Sequence, residues 1–129
     1  MTTDNKTALR PFAHVLAVPD LARSARYFHE VLGFTTDWQD GDDWHTLHRG
    51  SARVMLGHCP DALLPAQLGD HAYFAYWHVD DVDALFAEFA SRDAIILQAP
   101  ANKPWGMREM AIATPDGHRM MIGQSVDAT

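Results

Sequence analysis

The sequence predicts an α+β fold: two β-α-β-β-β modules that pair into a curved mixed sheet around a cleft. Three observations predict it. The order strand, helix, strand, strand, strand is legible twice along the chain. The two halves keep register, because Val18-Pro-Asp-Leu21 recurs as Val79-Asp-Asp-Val82 and Phe28 recurs as Phe89 at the same offset. Finally, 129 residues with 47% hydrophobic content can bury a core without staples, since chains of about 150 residues bury roughly 70% of the surface that their unfolded form exposes. A sheet with a helix on one face leaves its other face uncovered, so each module needs the other.

Each element has a local reason. Residues 1–10 are polar and read as a loose arm. Pro11-Phe12 opens the apolar run from Ala13 to Val18, a buried strand ended by Pro19-Asp20. Asp20 can accept from the free N–H groups of a first helical turn. Leu21, Ala25, Phe28 and Leu32 then fall on one helical face, and Gly33 closes the helix. Residues 35–39 and 44–48 read as strands around a turn at 40–43, and residues 52–57 as a third strand after Arg49-Gly50-Ser51. Residues 59–71 are a connector. In the second half, residues 73–79 form an aromatic strand. Asp80 or Asp81 caps a helix with Val82, Leu85, Phe86 and Phe89 on its apolar face. Residues 95–98 are a short strand, 99–104 a loop, and 108–113 and 118–122 are strands joined by the tight turn Thr114-Pro115-Asp116-Gly117. One domain is expected over 1–129, with module one at about 11–58 and module two at about 72–124.

Composition narrows the function classes. A net charge of −7 argues against a phosphate-backbone partner, because nucleic-acid binding draws on clustered Lys and Arg. The single cysteine, Cys59, excludes an intramolecular disulfide and a paired-Cys zinc site. No stretch approaches the roughly 20 apolar residues of a membrane span, and the first residues have no apolar core like that of a secretion signal. A cytoplasmic location is expected. Eight histidines beside 4 tryptophans and 6 methionines are either metal-ligand material or the walls of an apolar pocket.

Three segments resemble the vicinal-oxygen-chelate superfamily, the glyoxalase, bleomycin-resistance and dioxygenase group, over roughly residues 11–124. They are Val18-Pro-Asp-Leu-Ala-Arg-Ser-Ala-Arg-Tyr-Phe-His-Glu-Val-Leu-Gly-Phe34, Pro104-Trp-Gly-Met-Arg-Glu-Met110 and Thr114-Pro-Asp-Gly-His-Arg-Met-Met-Ile-Gly-Gln124. The second leans towards the bleomycin-resistance branch. That resemblance implies a dimer, with an exchanged N-terminal arm and a small-molecule ligand. The superfamily's enzymes hold a divalent ion on cleft-facing strands. Here the corresponding positions are Ala13, Met55, Phe74 and Met121. Alanine and phenylalanine carry no donor atom, and a thioether suits soft Cu(I). No metal or cofactor is therefore expected. His14 stands one residue from a ligand position, but one residue along a strand changes the face, so His14 should point at the helix with Leu16 and Val18. His29, His58, His71 and His118 read as solvated or structural residues.

Alternation gives the inward set. Ala13, Val15 and Ala17 come from the first strand, Phe74, Tyr76 and His78 from the fifth, Arg119 and Met121 from the last, and Arg53 and Met55 from the fourth. Glu109 shares a face with Ala111 and Ala113, opposite the core residues Met110 and Ile112. The resemblance puts Trp44 at the cleft mouth and Trp105 in a loop over it. Flat rings suit stacking on planar groups at about 0.5–1.5 kcal/mol each, and methionines are adaptable fillers. The expected ligand set is thus Trp44, Met55, Phe74, Tyr76, His78, Trp105, Glu109 and Met121. The leading reading is a metal-free protein that sequesters an aromatic or cationic antibiotic-like ligand. Metal-free catalysis with Glu109 or His78 as general base ranks second. A metal-dependent lyase, isomerase or dioxygenase with ligands displaced to His45, His48, His78 and Glu109 ranks third. His45 and His48 weaken that last reading, because three residues apart on a strand means opposite faces.

Overall fold

The computed structural model describes residues 6–67 and 73–126. The first five residues, the end of the connector with His71, and the last three residues lie outside the described residues. The order is β1 (His14–Val18), α1 (Leu21–Arg26), a π-helical turn (Tyr27–Val31), β2 (Thr35–Asp40), β3 (Trp44–Arg49) and β4 (Ala52–His58). A 3-10 turn (Pro65–Gln67) follows, then β5 (Tyr73–His78), α2 (Val82–Ser91), β6 (Ile95–Asn102), β7 (Met107–Ala113) and β8 (Arg119–Ser125).

The expected modules are both present. Each makes a four-stranded mixed sheet, ordered β1-β4-β3-β2 and β5-β8-β7-β6. The first strand of each module is an edge that runs parallel to the last. Asp20 caps α1 by accepting the Arg23 N–H at 3.1 Å, and Asp81 caps α2 by accepting from Ala84 at 3.0 Å. Two elements differ from expectation. The first helix loosens at Tyr27, where the Leu32 N–H reaches back five residues to the Tyr27 carbonyl at 3.2 Å. The sixth strand runs on to Asn102 through Pro100. An edge strand tolerates the missing N–H, and two register shifts along β6 absorb the irregularity.

Within this chain the halves meet through the faces that carry the helices. Leu16, Val18, Val54 and Leu56 of the first sheet share one core with Met110, Ile112, Met120 and Ile122 of the second. Polar ties cross the joint. The Tyr27 hydroxyl donates to the Ala113 carbonyl and accepts from the Ile95 N–H, both at 2.9 Å. Arg49 forks onto Glu88 at 2.7 and 3.0 Å. Asp116 accepts from Ser24 at 2.9 Å and pairs with Arg23. The helix-free faces of both sheets are consequently left open. Val15, Trp38 and Trp44 are exposed on the first, and Tyr76 and Trp105 on the second. The residues expected around one cleft are divided between these two faces.

Candidate functional site

The more elaborate face belongs to the second sheet, and it is organised around a glycine. β8 runs between β5 and β7, with Gly123 opposite His78 on one side and Glu109 on the other. Because Gly123 has no side chain, the Tyr76 ring can lie across the strand; a Cβ built there would collide with the Tyr76 hydroxyl. The hydroxyl donates to Glu109 Oε2 at 2.6 Å, and Trp105 Nε1 donates to the same oxygen at 2.9 Å. Trp105 reaches it from a loop that turns at Gly106, whose φ of 85° favours glycine. Gly106 N–H to Lys103 carbonyl, at 3.2 Å, closes that loop.

Glu109 is only 2% exposed, and its Oε1 is buried with no hydrogen-bond donor among the described residues. An orphaned buried acceptor is costly, and a donor group placed against it would recover that cost. Burial, and then the hydrogen bond and charge of Glu109, push the Tyr76 phenol up to about 12, so it remains a donor at neutral pH. Tyr76 and Trp105 are themselves 40% and 63% exposed. The site therefore presents ring surfaces outwards and a carboxylate beneath them. His78 adds an edge contact to Tyr76, with ring centroids 5.5 Å apart, and Met121 lies opposite Tyr76 on the same face.

The first sheet carries a simpler counterpart. Gly57 of β4 stands between Ala17 and Trp44 as Gly123 stands between His78 and Glu109. The Trp44 ring lies over it, 2.9 Å from where a Cβ would be. Met55 is the next cleft-face residue along the same strand. Five of the expected ligand residues thus gather on one face (Tyr76, His78, Trp105, Glu109, Met121) and two on the other (Trp44, Met55).

Phe74 does not belong to either face, which corrects the expectation. The β5–β8 register slips between Tyr73 and Ala75. This bulge interrupts the alternation and turns Phe74 to the core side, 5.4 Å from the His14 ring and 5.9 Å from Trp77. His14 points to the helix side as expected, its Nε2 accepting from Trp77 Nε1 at 3.2 Å. Gly57 and Gly123 were the residues that the pattern of side chains missed. The available signal was a glycine inside a strand, which often marks a close approach.

The donor set does not fit the divalent ion that the resemblance implies for enzymes. Ala13, Met55, Phe74 and Met121 offer no hard ligand, and Phe74 faces the core. Among the described residues, no three His, Cys, Asp or Glu side chains converge. His45 bonds to Thr36 and His48 to Asp37 on the first sheet, whereas His78 and Glu109 belong to the second, so the displaced set does not assemble within the chain.

The family model described as "Glyoxalase/Bleomycin resistance protein/Dioxygenase superfamily" matches residues 11–122. Among solved structures, TioX from Micromonospora sp. ML1 is 25% identical with a TM-score of 0.71, over 87% of this chain and 95% of that one. The bleomycin-binding protein from bleomycin-producing Streptomyces verticillus, complexed with copper(II)-bleomycin, is 22% identical with a TM-score of 0.69, over 94% of this chain and 99% of that one. A lactoylglutathione lyase from Agrobacterium tumefaciens is 18% identical with a TM-score of 0.69, over 92% and 96%. No curated protein matches the sequence. One fold thus serves a binder and an enzyme, and the choice between them falls to the site.

Proposed function

The chain belongs to the glyoxalase/bleomycin resistance protein/dioxygenase superfamily, and from that premise we propose that it is a metal-free small-molecule binding protein. It sequesters an aromatic or cationic antibiotic-like ligand, in the cytoplasm, as a single domain of 1–129. The observation that carries this reading is Glu109, a buried carboxylate with one oxygen held by Tyr76 and Trp105 and the other without a donor. Rings above and an acceptor below suit a planar ligand that bears a positive charge or an N–H group. Stacking is worth about 0.5–1.5 kcal/mol per ring pair, and a charged acceptor strengthens a hydrogen bond further. The chain acts as a homodimer in which the open face of one copy, with Trp44 and Met55, covers the other copy's face with Tyr76, His78, Trp105, Glu109 and Met121. Exposed aromatic surface on both faces supports that pairing. The same buried carboxylate supports a second reading, a metal-independent lyase or isomerase with Glu109 as base.

Calorimetric titration with bleomycin and a panel of planar aromatic cations tests the proposal, with sedimentation velocity run on the same mixtures. Saturable binding to a dimer, without turnover of the ligand, is the expected result. Absence of binding across the panel would overturn the binding reading, and conversion of a bound ligand would move the assignment to the enzyme.

A further inference from the structure

A cavity of about 670 Å³ lies between the two halves; Glu109 does not line it, but Tyr76 and His78 of the open face do. It is bounded by the free edges of β1 and β5, by the turn between β3 and β4, and by α2. Its size falls within the roughly 300–1,000 Å³ of small-molecule sites. The floor is apolar and comes from both halves: Phe34 from the first, and Leu85, Phe89, Ile112 and Ile122 from the second. Apart from Ser51, Tyr76 and Trp77, the polar side chains of its wall are arginine or histidine. His14, Arg49, Arg53 and His78 line it, and none of the lining residues is acidic, in a chain where 17 Asp and Glu outnumber 10 Lys and Arg.

Both arginines already have partners, and two of these, Leu32 and Phe12, themselves line the cavity. Arg49 is occupied by Glu88 and the Leu32 carbonyl. Arg53 donates from Nε to Asp37 at 3.2 Å and from Nη1 to the Phe12 carbonyl at 3.4 Å. Its Nη2 has no hydrogen-bond partner among the described residues, and its guanidinium stacks over the Phe12 ring at 4.6 Å. Arg53 is thus anchored through Nε and Nη1, which leaves Nη2 to donate. Nη2 can donate to a carboxylate while Arg53 keeps its structural bonds, and a charge-assisted N–H···O bond is about twice as strong as a neutral one.

We propose that this cavity binds an amphipathic carboxylate, with the apolar chain on the Phe34–Phe89–Ile112 floor and the head group on Arg53. Its head-group site at Arg53 is separate from Glu109, although Tyr76 and His78 border both, and it would hold whether or not Glu109 binds cations. Because floor and mouth draw on both halves, an occupant would also bridge the joint between them.

Dodecanoate, kept below its micelle concentration, is the probe, and dodecan-1-ol and dodecyltrimethylammonium are its comparators. Methyl NMR of the unaltered protein separates the two sites, since Leu85, Ile112 and Ile122 line the cavity whereas Met107 and Met121 face the open sheet. Dodecanoate should shift the first group saturably and leave the second unmoved, with at least tenfold tighter binding than either comparator. Arg53→Gln should weaken it at least tenfold. If that variant does not fold, Arg53→Lys and the head-group series decide. Shifts at Met107 and Met121 instead, equal affinity for the three head groups, no saturable shift, or a folded Arg53→Gln with unchanged affinity would each overturn the proposal.

Discussion

Glu109 is held by one oxygen, and that asymmetry reaches its neighbour. Tyr76 has its phenol pushed up to about 12 by burial first and by Glu109 second. Glu109→Gln keeps a carbonyl that can accept from Tyr76 and removes only the charge. In that variant Tyr76 should titrate lower than about 12 yet above its ordinary 10, because burial persists. The linkage follows from the raised value: the stability that Tyr76 contributes is complete below pH 10 and is lost as pH rises through about 12. The variant should lose that stability at a lower pH. Tyrosinate absorbance, with Tyr76→Phe as the blank that identifies the residue, reads both effects, and an unmoved titration would show that Glu109 does not act on Tyr76.

At the scale of the element, β8 decides whether this pair can form. Gly123→Ala would place a Cβ where the Tyr76 hydroxyl now lies. The obstacle is the end of a side chain that is 40% exposed, so the ring can swing out and the sheet can keep its register. The cost should then be that of one hydrogen bond to a charged group, about 1.5–3 kcal/mol at most. Tyr76→Phe removes the same bond. The double variant should therefore be little worse than either single one, whereas independent effects would add. Urea denaturation of the three proteins measures this, and additive losses would mean that Gly123 matters for another reason. The elements themselves were legible in the sequence, because apolar periodicity, the caps Asp20 and Asp81 and the Thr114–Gly117 turn act locally. Glu109, Met121 and Tyr76 follow from alternation for the same reason. Phe74 was illegible because a bulge is a pairing between strands, and no local pattern records it. The division of the expected cleft into two faces escaped for a related reason. Alternation says which residues share a face but not which face a distant module will cover.

For the molecule as a whole, the joint between the halves carries an acid-sensitive group. The β7–β8 turn of the second half meets α1 of the first through Asp116, which is 2% exposed and held by Ser24 and Arg23. Beside it, His118 is buried, with its backbone N–H bonded to Thr114 Oγ1 at 3.1 Å and its ring edge against Phe74. Burial holds the imidazole below its ordinary 6.5, against the opposing pull of the Asp116 charge. The folded protein therefore prefers His118 neutral. Its contribution to stability is present above pH 6.5 and is lost as pH falls below that, by at most about 1.4 kcal/mol per pH unit for one proton. His45 is shifted the same way, also by burial, so it too should weaken the fold between pH 7 and pH 5. His118→Gln cannot take up the proton. Urea melts at pH 7 and pH 5 should show a smaller loss for this variant than for the unaltered chain, with the His45 share remaining. An equal loss in both proteins would place the acid sensitivity away from the joint.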